Sequence, residues 1–298
     1  MSTSLNYRLK KINFFTNLGY SNRDSPGNAS NKTQYFSEDA AYAITDENRI
    51  YTRERESWNL NFGLEYNLSE KTSFILSVLF RDSDQNQLSE NVTDGFNEEG
   101  ELVNTMLRIQ DEDETDRVNQ YSFNFFHRFD DEGHELNFDA QLQDNSETES
   151  SLITNEETFP QDMPMPSEIV ISDEVQNRVL LQSDYVLPFR NNQQIELGFR
   201  YTGVDQETDF KFFNEGPDGD FTVNDSLTNI FFYDEKITAL YAQYGNKFGA
   251  SVSMLLGLRM EASDIDVRAV GKEIDSINDK YYINYFPTAN LVYEFTEN

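Results

Sequence analysis

His127 and His134 are the only histidines in a chain of 298 residues that contains no cysteine. Thiolate zinc sites, cysteine catalysis, disulfide scaffolds and multi-histidine metal centres are therefore excluded. His127 falls in the apolar register of an alternating segment, and His134 lies just past a polar turn. Neither is placed to act as base for a serine or threonine nucleophile. With no nucleophile–base pair and no glycine-rich phosphate loop to nominate, no catalytic residue, no enzymatic activity and no cofactor is expected.

Acidic side chains are the other candidates. The segment 82–116 carries Asp82, Asp84, Glu90, Asp94, Glu98, Glu99, Glu101, Asp111, Glu112, Asp113, Glu114 and Asp116 against few bases. Asp218-Gly219-Asp220, followed by Asn224 and Asp225, has the residue types of a calcium loop. Hard cations take several oxygen ligands, but neither run has full EF-hand spacing. Solvated loops are the simpler reading and calcium capture the alternative, so metal ligands stay unassigned.

The whole chain has a net charge of −31, which argues against nucleic acid as a partner because phosphates would be repelled. Hydrophobic residues make up 37%, too few for a thick conventional core, yet aromatics reach 14%. No run approaches the roughly 20 apolar residues of a membrane helix. The longest apolar stretch, residues 74–80, is strand-sized, and residues 1–7 lack the apolar core of a secretory signal.

What the apolar residues do is alternate. Trp58, Leu60, Phe62, Leu64, Tyr66 and Leu68 interleave with polar or small neighbours. After Ser69-Glu70-Lys71 the pattern restarts with Phe74, Leu76, Val78 and Phe80. Period two with a short polar turn predicts a β-hairpin. The unit recurs with Leu5, Tyr7 and Leu9 before Phe14, Thr16, Leu18 and Tyr20. It recurs again with Tyr121, Phe123 and Phe125 before Leu136, Phe138, Ala140 and Leu142, and with Val179, Leu181, Tyr185 and Leu187 before Ile195, Leu197, Phe199 and Tyr201. Ile237, Ala239 and Tyr241 precede Met254, Leu256, Leu258 and Met260, and Ala289, Leu291, Tyr293 and Phe295 close the series.

The expected fold is all-β: an antiparallel up-and-down transmembrane β-barrel, partial, of about eleven strands. Short turns near residues 11, 70, 131, 190 and 248 occupy one rim. Polar segments of about 22–56, 83–118, 143–175, 203–235 and 262–282 are expected as long loops at the other. Lipid cannot satisfy backbone N–H and C=O groups, so only a closed ladder spans it with strands; the apolar stripe faces lipid and the polar stripe a wet or plugged lumen. Aromatics near stripe ends, among them Trp58, Tyr66, Tyr20, Tyr185, Tyr201 and Tyr293, suit interfacial girdles. A soluble antiparallel sandwich or barrel also alternates, but seldom has loops of about 30 residues at every second connection. Arg178, Asp184, Glu196, Arg200, Arg259 and Glu261 fall in the lumen register. They are expected to pair across strands; contact with a plug or solute is the alternative.

The series resembles the β-barrel region of TonB-dependent outer-membrane receptors, of the outer-membrane β-barrel family common in Bacteroidetes. The likeness is carried by residues 5–8, 62–71, 194–201, 235–243, 257–261 and 285–291, and spans nearly the whole chain. It implies energised uptake of a large nutrient such as a siderophore, cobalamin, glycan or peptide. It also implies outer-membrane lipid, a plug domain, the remaining barrel strands and the TonB system as partners. Residues 1–298 are then one incomplete barrel segment. No plug or TonB-contacting box is visible, and the chain stops at Thr296-Glu297-Asn298, where a turn is expected.

Overall fold

The computed structural model describes residues 1–37, 40–190, 192–249, 251–272 and 275–295. The turn expected at Thr296, Glu297 and Asn298 lies outside them. Twelve strands form one antiparallel sheet: β1 (Ser2–Leu9), β2 (Ile12–Gln34), β3 (Ile44–Asn67), β4 (Thr72–Phe96), β5 (Leu102–Arg128), β6 (Glu135–Phe159), β7 (Met163–Pro188), β8 (Gln193–Glu215), β9 (Phe221–Val223), β10 (Asn229–Phe248), β11 (Val252–Val270) and β12 (Asp275–Tyr293). Eleven of these follow one another in sequence order across the sheet, and the short β9 pairs only with β8. The described residues include no helix.

The short turns fall where alternation placed them, around Lys10–Lys11, Ser69–Lys71 and Phe129–His134, at Phe189, Arg190 and Asn192, and at Gly249 and Ser251. The long segments are not loops. Apart from β1 and β9, the strands run 19 to 27 residues, so most of the polar stretches are continuous ladder. The acidic run 82–116 is the upper half of the β4–β5 hairpin, with register from Asp82↔Arg117 up to Phe96↔Leu102. At about 3.3 Å per residue, a strand of this length spans about 80 Å, far beyond an apolar bilayer core of about 30 Å. Above the bilayer both faces of the sheet are wet. The hydrophobic alternation then fades although the backbone pairing continues.

Within the membrane-depth half the apolar residues share one face. Register stacks Tyr20↔Trp58, Leu60↔Phe80, Leu64↔Leu76, Leu76↔Phe123 and Phe125↔Phe138. Trp58, Leu60, Phe62, Leu76, Leu197, Leu256 and Leu258 are exposed on it. Asn59, Asn61, Ser77, Gln194, Glu196 and Arg200 take the opposite face by the same parity. Among hydrophobic side chains of the described residues, only Val118, Ile153 and Ala239 are buried. Among the described residues no second layer packs on the stripe. The chain exposes 19458 Å², where a compact protein of 34.6 kDa exposes about 13,000 Å².

One strand presents the other face from that expected. In β10 the register Leu240↔Phe199, Leu240↔Met260 and Ala242↔Leu258 puts Thr238, Leu240, Ala242 and Tyr244 on the apolar face. Ile237, Ala239 and Tyr241 lie on the polar face: Leu240 is 50% exposed and Ala239 0%. Residues 237–242 are almost all apolar, so alternation alone does not choose a face here; a shift by one residue exchanges the faces, and the neighbouring strands decide.

Candidate functional site

The polar face at membrane depth carries several local hydrogen-bonded groups. Asn124 Nδ2 donates to Asn137 Oδ1 at 2.9 Å and to Asp139 Oδ1 at 2.7 Å. Asn67 Nδ2 donates to Glu65 Oε1 at 3.0 Å. Tyr241 lies across Gly198 and its hydroxyl donates to Asp184, which also accepts from Gln182 Nε2 at 2.8 Å. The Arg259 guanidinium sits 5.6 Å from the Tyr241 ring centre, and its Nε donates to Glu261 Oε1 at 2.6 Å.

Of the six charges expected to pair across strands, only Arg259 and Glu261 form an ion pair, and they do so along β11. Glu196 accepts from Gln194 on its own strand at 2.6 Å, and Arg200 Nε reaches only Thr202 Oγ1 at 3.5 Å. The register explains this. Arg200 stands opposite Ala239 and Gln182, Arg259 opposite Tyr241 and Phe286, and Arg178 opposite Gln143 and Val204. None of these three arginines faces a carboxylate directly, so i,i+2 neighbours on one strand become the nearest partners.

Above the bilayer the same face divides by charge. On β2–β4, Arg53 donates from Nε and Nη2 to Gln87 Oε1 at 2.9 and 2.6 Å, and Arg55 Nε donates to Ser83 Oγ at 2.8 Å. Arg81 Nη2 bonds Asp116 Oδ2 at 3.0 Å, with Arg55 Nη2 3.9 Å from the same oxygen. On β5–β7 the polar face carries carboxylates directly opposite one another: Glu114↔Glu149, Asp116↔Glu147 and Glu147↔Glu174. Burial, then repulsion from Glu114, Glu174, Asp116 and Glu149, raises the Glu147 carboxyl above its ordinary pKa. Burial, then Glu112 and Glu114, does the same to Glu149.

A model described as "Outer membrane protein beta-barrel family" matches residues 127–298, more than half of the chain. The chain belongs to the outer membrane protein beta-barrel family. This outer-membrane β-barrel is an integral protein of the outer membrane, and the apolar stripe is its lipid face. No curated protein matches it. Among solved structures, it is similar to the outer membrane protease OmpT from Escherichia coli at 9% identity, over 96% of this chain and 97% of that one, with a TM-score of 0.28.

The histidines of this barrel sit at its short-turn rim. His127 Nδ1 is 2.8 Å from Thr72 Oγ1, and its ring stands edge-on to Phe129 at 4.5 Å. His134 stacks on Phe129 at 4.2 Å, lies 2.7 Å from Tyr185 Oη and has Nδ1 3.5 Å from Asp130 Oδ2. Asp130 is held below the ordinary carboxylate pKa, chiefly by the Glu132 backbone N–H. Asp218, Gly219 and Asp220 form the turn between β8 and β9, where Gly219 has φ 85°. Asp225 pairs with Lys272, and the Asn224 amide donates to Asn214 Oδ1 at 2.8 Å. Among the described residues no group of three or more metal-ligating side chains converges. Hydropathy does not mark the arginines of β3, because residues 44–56 carry no apolar period. Their signal is Arg53-Glu54-Arg55-Glu56, a period-two alternation of charge rather than of hydropathy.

Proposed function

We propose that this barrel is part of the wall of an outer-membrane receptor that imports a large nutrient, such as a siderophore, cobalamin, glycan or peptide, by energised, TonB-dependent transport. One observation carries the reading: the face opposite the lipid stripe is lined at membrane depth by Asn124, Asn137, Asp139, Gln182, Asp184, Glu196 and Arg259. Such a wall suits a wet or plugged interior, not a packed one. Eight strands make a barrel that side chains alone can fill; eleven sequential strands already exceed that. In this reading residues 1–298 are one wall segment with no catalytic step. A plug domain, the TonB system and strands that pair with the free sides of β1 and β12 are its partners.

The test is nutrient-limited growth of a strain lacking the protein. Uptake of one nutrient class should be lost, restored by the gene, and abolished equally by an uncoupler of the proton gradient. Unchanged uptake across siderophore, cobalamin, glycan and peptide panels would overturn the reading and favour a barrel without a transport role.

A further inference from the structure

The upper polar face of β2 and β3 concentrates arginine in a chain that has 23 Lys and Arg against 54 Asp and Glu. Arg49, Arg53 and Arg55 are at i, i+4 and i+6 on β3, all on this face, and Arg23 of β2 stands directly opposite Arg55. Tyr51 shares the face, lying across Gly27 with the Arg49 guanidinium 5.5 Å from its ring centre. The carboxylates between them in sequence, Glu54 and Glu56, take the other face by strand parity. Glu47, the acid beside Arg49 on the same face of β3, accepts from Asn91 Nδ2 at 2.6 Å. Asp116 is engaged by Arg81 at 3.0 Å.

The close partners of these guanidinium groups are neutral, and among the described residues the one carboxylate within reach, Asp116, lies 3.9 Å from Arg55 Nη2 and is held more closely by Arg81. Arg53 bonds Gln87 and Arg55 bonds Ser83. The Arg23 side chain makes no hydrogen bond or ion pair among the described residues, and Arg23, Arg53 and Arg55 are exposed. Like charges directly opposite on a ladder are destabilising. An anion placed between them reverses the sign of that term, and the guanidinium fork matches carboxylate and phosphate geometry. Same-face neighbours on one strand are about 6.6 Å apart and cross-strand neighbours about 5 Å, so the strip offers several donors to one multiply charged molecule.

We propose that Arg23, Arg49, Arg53 and Arg55 form a binding strip for a ligand carrying several phosphate, carboxylate or sulfate groups. The inference deepens the receptor reading by naming the class of solute, and rests on it only in taking this face as the solute's path. Because the whole chain carries −31, an anion can be held only where positive charge is locally concentrated.

The test uses the protein extracted in detergent from the outer membrane, with inositol hexakisphosphate as probe and myo-inositol as control, followed by titration calorimetry. Saturable binding of the hexakisphosphate alone is expected, weakening as sodium chloride rises from about 50 to about 300 mM because the contacts are solvent-exposed and screened. The triple variant Arg23→Gln, Arg49→Gln, Arg53→Gln should lose about tenfold or more in affinity, since charge-assisted bonds are the strong ones. Arg117→Gln, on the opposite face, should not change it. The corresponding triple Lys variant keeps the charge and should keep measurable binding, which separates lost anion contact from a damaged wall. Equal heats for both probes, or a Gln triple binding as tightly as the parent, overturns the proposal. Loss of uptake with binding retained, or the reverse, tells failure of the receptor reading from failure of this one.

Discussion

Tyr241 of β10 reaches across Gly198 of β8 to donate its hydroxyl to Asp184 of β7, so one side chain ties three neighbouring strands. A Cβ at position 198 would fall inside the Tyr241 ring. Glycine is required here by close approach, not by backbone conformation. The same device recurs on the polar face where Phe15 covers Gly63 and Tyr51 covers Gly27, each pair directly opposite in register. An aromatic seated in a glycine slot fixes which residues face each other, a constraint that a polar ladder otherwise supplies weakly.

Gly198→Ala should push the Tyr241 ring aside and break the bond to Asp184. Tyr241→Phe removes the same bond directly, at about 1.5–3 kcal/mol for a hydrogen bond to a charged group. The two changes act through one contact, so the double variant should destabilise by clearly less than the sum. Unfolding midpoints in detergent for the four proteins provide the cycle; strict additivity would dissociate the glycine from the tyrosine.

The face assigned to β10 is checked by charge. Leu240→Arg places a cation against lipid and should lower folding stability by about 2–4 kcal/mol. Gln243→Arg, on the polar face three residues away, should change it far less. Refolding into liposomes, followed by the heat-modifiable gel shift, reads both. If Gln243→Arg proves the more damaging, the strand faces the other way.

The acidic wall should carry a pH signature. Glu147 and Glu149 have carboxyls raised above their ordinary value of 4.5 by burial and by neighbouring carboxylates. A group whose folded pKa is raised contributes stability that is fully present below the unfolded value and lost as pH rises through the folded one. Acidification from neutral pH towards the ordinary carboxylate range should therefore relieve this region. The double variant Glu147→Gln, Glu149→Gln should be more stable than the parent at pH 7, by about 0.2–1 kcal/mol for each opposed pair removed. The difference should shrink on approach to pH 4.5. Thermal unfolding of both proteins across that window measures it, and a difference independent of pH would show that charge is not the cause.

The sequence by itself determined the membrane-depth half of the barrel. Lipid demands apolar residues on one face and closure of every backbone group by a neighbouring strand, so Trp58 to Tyr66 and Phe74 to Phe80 announce both their conformation and their orientation. The turns follow because Ser69–Lys71 or Asp130–Gly133 interrupts that pattern with polar residues. Tertiary structure alone decided the rest, wherever the two faces meet similar surroundings. Above the bilayer both are in water, so 82–96 and 102–116 show no hydrophobic period although they pair residue by residue. In residues 237–242 both faces carry apolar side chains, and only the fit of Leu240 between Phe199 and Met260 selects one. The site is non-local for a related reason. Arg23 meets Arg55, and Tyr241 meets Asp184, through register across strands distant in sequence, and hydropathy carries no trace of which polar residues that register brings together.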